Sequence, residues 1–215
     1  MASHIAAARV GIPGVDSVAA NIQSGGMNLD PRGRGKRLFI AIDPPDYTRQ
    51  RLAGLRAELR GFHWVDPDRL HLTLKFIGDT SGQEQEAISA ALAGIKVGAF
   101  MLPVQGVGAF PAGARTHAVW VGLEHGHPRL FQLHKRIEDA LFAIGIEPEK
   151  RAYQPHLTIA RVGPAAPETI RQYLKRHQDF ATAPFRVTAF HLYRSEATAD
   201  GRRHVVEQSW PLHVD

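Results

Sequence analysis

The sequence predicts an α+β fold made of two similar lobes, and three observations carry that expectation. The order strand, helix, strand, helix occurs twice along the chain. The second strand of each set carries the same tripeptide, His71-Leu72-Thr73 and His156-Leu157-Thr158, with the two His 85 residues apart. No strand runs into the Gly-rich phosphate loop of a doubly wound nucleotide fold. Gly106-Val107-Gly108 is followed by Ala109-Phe110-Pro111, which cannot open such a helix. A duplicated unit of this kind folds as two related halves.

The chain has 215 residues, enough for one full domain or two small lobes sharing a core. It contains no Cys, which excludes a disulfide framework, a thiolate nucleophile and sulfur-based zinc sites. No apolar run approaches the ~20 residues needed to cross a bilayer as a helix. The net charge of +5 invites a nucleic-acid reading. Its distribution is uneven: residues 1–37 hold Arg9, Arg32, Arg34, Lys36 and Arg37 against Asp16 and Asp30. Residues 1–36, rich in Ala, Gly and Ser, read as a disordered basic tail that is either an RNA-contacting arm or a solvated linker. Residues 37–215 form the folded domain.

The first element is a buried strand, Leu38-Phe39-Ile40-Ala41-Ile42, an apolar run stopped by Asp43-Pro44-Pro45. Leu52, Leu55 and Leu59 recur at helical spacing and predict an amphipathic helix over 46–60. Trp64-Val65-Asp66-Pro67 turns into the strand of the first His-Leu-Thr, halted by Gly78-Asp79. A helix over 82–94 puts Ile88 and Leu92 on one side. Phe100 to Phe110 reads as one strand bent at Pro103 and Gly106, and Ala118 to Leu123 as a buried one. Pro128 opens a helix whose Leu130, Leu133, Ile137 and Leu141 form an apolar stripe, with Gly145 as its stop. The second His-Leu-Thr strand comes next, then a helix over 167–177. Two strands close the chain, Phe185 to Tyr193 and His204 to Trp210, around an Asp200-Gly201 turn.

In a strand, residues i and i+2 share a face. His71 and Thr73 therefore project together while Leu72 and Leu74 turn to the core, and His156 and Thr158 do the same over Leu157 and Ile159. If the lobes pack about a pseudo-twofold axis, the two polar faces meet across a cleft. Paired imidazoles suit acid–base chemistry near neutral pH, one accepting a proton while the other donates. Thr hydroxyls suit the non-bridging oxygens of a phosphate. This set can carry out in-line displacement at phosphorus without a metal, and is poorly suited to peptide hydrolysis.

These paired His-x-Thr-x motifs resemble those of the 2H phosphoesterase superfamily, and more narrowly the RNA 2′,3′-cyclic phosphodiesterase family, also called 2′-5′ RNA ligases. The resemblance runs over about residues 37–213. It includes Arg37 to Ile42, Leu70 to Gly78, Pro155 to Arg161, Leu192 to Glu196 and Trp210-Pro211-Leu212. It implies a bilobal α+β fold, two pseudo-symmetric lobes with antiparallel sheets lining a central cleft and helices outside. It implies hydrolysis of an RNA or nucleotide 2′,3′-cyclic phosphate to a 2′-phosphomonoester. His71 would be the proton donor and His156 the proton acceptor. Thr73, Thr158 and Arg161 would bind the phosphate, and Phe76 would stack on the nucleobase. No cofactor and no metal are implied, and a cytoplasmic monomer without a membrane partner is expected. Strand parity opposes two of these roles: Phe76 and Arg161 each follow their His by five places, so a bulge or strand end must redirect them.

Other readings remain. The fold could bind RNA ends without catalysis, or act on 2′,5′-linked or small cyclic nucleotides. His125-Gly126-His127 with His134 suggests a loop and helix start rather than a metal cluster, since no carboxylate pattern completes a site. His63, His117, His177, His191, His204 and His213 are assigned surface or structural roles. Tyr153 and Arg115 are candidates for the cleft border.

Overall fold

A strand covered on both faces buries consecutive apolar residues together. Leu38 to Ile42 are all buried in this way, at the middle of the molecule. The computed structural model describes residues 35–112, 115–123, 127–164, 167–199 and 201–213. The tail expected over 1–36 lies outside the described residues as far as 34, and Lys36 opens the first strand.

In chain order the elements are β1 (Lys36–Ile42), α1 (Asp46–Ala53), β2 (Phe62–Trp64), a 3₁₀ turn (Pro67–Arg69), β3 (Leu72–Thr80) and α2 (Gly82–Ala93). Then come β4 (Phe100–Gln105), β5 (Val107–Phe110), β6 (Ala118–Gly122), α3 (Pro128–Phe142) and β7 (His156–Val162). The chain ends with α4 (Pro167–Arg176), β8 (Ala181–Val187), β9 (Ala189–Thr198) and β10 (Gly201–Pro211). Eight strands form one sheet in the order β10-β9-β1-β3-β7-β6-β5, with β2 also paired to β7, while β4 and β8 form a separate ribbon. All these strand pairings are antiparallel. The repeat expected from the sequence thus occurs as two halves of one sheet. They join where Leu72 stands opposite Leu157, the same position in each His-Leu-Thr.

The helices are local solutions to capping and burial. Ser81 accepts from Glu84 N while its own N–H donates to Glu84 Oε2, a capping box that starts α2. His127 Nδ1 accepts from Arg129 N at the start of α3, and Pro128 occupies the first turn. The Leu130, Leu133, Ile137 and Leu141 stripe is fully buried with Leu72, Leu74 and Leu157 in one core. Burial of each such side chain contributes about 1.5–3 kcal/mol.

Four expectations change. The helix expected over 46–60 ends at Ala53, because Gly54 caps it and the chain turns away. Leu55 is buried beyond the helix, where its carbonyl accepts from Tyr173 Oη. The strand expected from Phe100 to Phe110 divides at Gly106, whose φ of 74° bends the chain from the small ribbon into the large sheet. Phe185 to Tyr193 likewise divides at Thr188 between β8 and β9. The first His-Leu-Thr strand does not halt at Gly78-Asp79. Gly78, at φ 99°, carries it through a bulge to Thr80.

Candidate active site

Each half of the sheet turns its His-Leu-Thr strand the same way. Leu72, Leu74, Leu157 and Ile159 are buried, whereas His71, Thr73, His156 and Thr158 are half-buried on the opposite face. Continuing the Leu72–Leu157 register by one residue sets His71 across from Thr158 and Thr73 across from His156.

Strict alternation would send Phe76 and Arg161 into the core, but each strand carries a bulge that prevents this. Thr73 pairs with Ala41 and Lys75 with the adjacent Ile40, so Leu74 is the extra residue. Thr158 pairs with Trp120 and Ala160 with the adjacent Val119, so Ile159 is the extra residue. Both bulges fall three places after the His. Each inverts the parity of the strand beyond it: Lys75 and Ala160 are buried, while Phe76 and Arg161 are exposed on the face of the imidazoles. His71, Thr73, Phe76, His156, Thr158 and Arg161 all line one cleft of about 1170 Å³.

The two imidazoles are held identically. His71 Nδ1 lies 2.7 Å from the Arg69 carbonyl oxygen, and His156 Nδ1 lies 2.7 Å from that of Gln154. A carbonyl only accepts, so each Nδ1 carries a proton and donates it, which leaves Nε2 as the titrating nitrogen. Aromatic rings fix the planes. Phe39 lies 4.9 Å from the His71 ring, and Phe110 stands edge-on to His156 at 4.9 Å.

Burial pushes both imidazoles below their ordinary pKa, and the Arg161 guanidinium adds to the effect in both. At each ring the backbone carbonyl opposes this, and at His71 the Asp43 carboxylate opposes it as well. Asp43 accepts from Tyr193 Oη at 2.5 Å and stands 3.7 Å from Arg49. Among the described residues, Arg37, Arg69, Arg151, Arg161 and Arg202 line the cleft against a single carboxylate, Glu149, a lining that favours an anion.

Two His given surface or structural roles prove to line this cleft, His117 and His204. His204 meets His71 edge to face at 5.2 Å and Phe39 at 5.0 Å. Burial, reinforced by the charges of His71, Arg69 and Arg202, lowers its pKa to about 4. It reaches the site from β10, a neighbourhood that only strand register reveals. Tyr153 borders the cleft as expected, donating to the Thr73 carbonyl at 3.1 Å, whereas Arg115 does not line it. Asp43, invisible to motif reading, comes directly after β1, beside the strand ends. His125 lies outside the described residues, and His127 caps α3. Among the described residues no three His, Asp or Glu side chains are grouped to hold a metal ion.

Comparison with known proteins agrees with this geometry. Residues 44–199 match the family model described as the 2′-5′ RNA ligase superfamily. The chain is 32% identical over 138 residues to an RNA 2′,3′-cyclic phosphodiesterase of Aeropyrum pernix, covering 64% of this chain and 78% of the relative. It is 30% identical over 173 residues to one of Methanothermobacter thermautotrophicus, covering 77% and 92%. Its structure is similar to that of E. coli LigT complexed with 3′-AMP, with a TM-score of 0.70, 26% identity and coverage of 83% and 98%.

Proposed function

Because this chain belongs to the 2′-5′ RNA ligase superfamily, we propose that it hydrolyses RNA or nucleotide 2′,3′-cyclic phosphates to 2′-phosphomonoesters by a metal-free, two-histidine mechanism. The observation that carries this reading is the identical tethering of His71 and His156 through Nδ1, which leaves both Nε2 atoms free for proton transfer. Similarity to enzymes named RNA 2′,3′-cyclic phosphodiesterase supports the substrate class.

Neutral His156 takes a proton from water as its oxygen attacks phosphorus. The bond from phosphorus to the 3′ oxygen breaks, and protonated His71 delivers its proton to that oxygen. The two rings finish with their protonation exchanged, and solvent resets them. The hydroxyls of Thr73 and Thr158 and the guanidinium of Arg161 hold the non-bridging oxygens as charge builds. Such preorganised donors contribute a few kcal/mol each. Phe76 offers its exposed ring to the base. Asp43 supports His71 as the acid, since its charge favours the protonated ring there. With a 5′-hydroxyl in place of water, the same forward steps, attack by the 5′ oxygen and departure of the 3′ oxygen, join RNA ends through a 2′-5′ linkage.

The test is turnover of 2′,3′-cyclic AMP and of a short RNA ending in a cyclic phosphate, in EDTA, with the product identified. Formation of 2′-phosphate is expected, and His71→Ala and His156→Ala should each lose about 10²–10⁴-fold in rate with the fold intact. A requirement for added metal, a 3′-phosphate product or an active single variant would overturn the mechanism.

A further inference from the structure

Cross-strand rows order the floor of the cleft. The row beside the catalytic hydroxyls is Thr73, Ala41 and His191, paired across β3, β1 and β9. The next is Phe76, Phe39 and Tyr193. Strand β1 alternates faces, so the next residue on this side, after Ala41 and Phe39, is Arg37. Continuing the β1–β9 register by one residue sets Ser195 beside Arg37, and Ser195 pairs in turn with His204. Arg37, Ser195 and His204 all line the cleft, as does Arg202, whose Nη1 donates to Ser195 Oγ at 3.1 Å.

Successive rows on one face lie about 6.7 Å apart. Moving outward, the lining changes from hydroxyl and imidazole to aromatic ring to guanidinium. Outward from the cyclic phosphate, the terminal nucleotide of an RNA offers a base, which stacks on a ring, and a 5′ phosphodiester, which pairs with a guanidinium. Arg37 is exposed and has no hydrogen bond or ion pair among the described residues, and Asp79, its register partner on β3, makes no ion pair with it. A guanidinium so placed is available to an incoming anion.

We infer that Arg37, with Ser195 and Arg202 beside it, forms a second anion subsite for the phosphodiester joining the terminal nucleotide of an RNA to its neighbour. The inference rests on the function proposed above and narrows it: the cleft is built for a chain end rather than a free cyclic nucleotide. 2′,3′-cyclic AMP has no group for this row, whereas an adenosine dinucleotide ending in the cyclic phosphate has one.

The experiment compares kcat/KM for these two substrates in the full-length wild type and in Arg37→Gln. The wild type should favour the dinucleotide. The variant should cut the dinucleotide-to-mononucleotide ratio about tenfold, the size of one charge-assisted hydrogen bond. The salt dependence of dinucleotide turnover should lose about 0.7 of its log–log slope, the share of one phosphate contact on a single strand. An equal loss on both substrates, or an unchanged ratio, overturns the subsite. Failure of the wild type to turn over either substrate overturns the proposed function instead, so the two failures are distinct.

Discussion

Leu72 of β3 pairs with Leu157 of β7, so the same position of the two His-Leu-Thr strands meets across the antiparallel join. Both leucines are fully buried, so the join is anchored in the core while the imidazoles on either side of it face the cleft. The two imidazoles are thereby positioned by one packing contact rather than by two independent loops.

The pH profile of kcat/KM for 2′,3′-cyclic AMP should be bell-shaped, with both limbs below the ordinary imidazole value of ~6.5. His156 must be neutral, and its lowered pKa carries the rising limb to lower pH. His71 must be protonated, and its lowered pKa carries the falling limb the same way. Asp43→Asn removes the carboxylate that opposes burial at His71, so the falling limb should move lower still while the rising limb stays. Steady-state rates across the acidic and neutral range read both limbs, and a falling limb that moves upward would contradict the role given to Asp43.

Acid sensitivity of the fold should trace in part to His204. Its pKa is near 4 when folded and near ~6.5 when unfolded, so the unfolded chain binds the proton first as pH drops. Stability is therefore lost between about pH 6.5 and 4 and levels off below. His204→Phe keeps a ring against Phe39 and His71 but cannot titrate. Its Tm should fall less on acidification than that of the wild type, as measured by calorimetry at several pH values.

Gly108→Ala should destabilise the protein by about 1–3 kcal/mol through overpacking. A Cβ at Gly108 would lie 2.2 Å from the indole of Trp120, a rigid ring that pairs with Thr158 and lies 6.2 Å from His156. Urea denaturation reads the loss, and turnover should fall with it because the displaced indole borders His156. Unchanged activity in a destabilised variant would separate Trp120 from the site.

Lys75 is buried, with Nζ 2.9 Å from Glu138 Oε2 and 3.0 Å from the Glu147 carbonyl oxygen. Lys75→Met leaves the Glu138 carboxylate without that cation and should cost about 3 kcal/mol. Adding Glu138→Leu removes the stranded charge and should restore most of the stability. Chemical denaturation of the single and double variants measures both steps.

Much of the site is legible in the chain itself. The repeated tripeptide names both imidazoles and both hydroxyls, because period-two alternation is local. Arg161 and Phe76 are ambiguous on the same ground: each bulge is a relation between a strand and its neighbour, and neither Leu74 nor Ile159 carries a mark of it. His204 and Asp43 escape for a related reason, since each meets His71 only after strands distant in sequence have paired. Gly106 signals a bend, but that the bend exchanges one sheet for another depends on β8, which arrives from far along the chain. The end of α1 at Ala53 depends on Gly54 and on Tyr173 drawing Leu55 into the core, which outweighs the helical spacing of the leucines.

The matched bulges make the scaffold nearly indifferent to orientation. With Nδ1 tethered alike on both sides, either His could serve as acid or base, and a substrate turned end for end would meet the same imidazoles and hydroxyls. The tie is broken by the Asp43 carboxylate, which favours the protonated ring at His71 alone, and by the pair of side chains that the bulges deliver, a ring at Phe76 and a cation at Arg161. On the function proposed above, polarity of the reaction is then partly a matter of seating, written in two positions outside the proton-transfer machinery. Exchanging them, Phe76→Arg with Arg161→Phe, amounts to asking the enzyme to read its substrate in reverse.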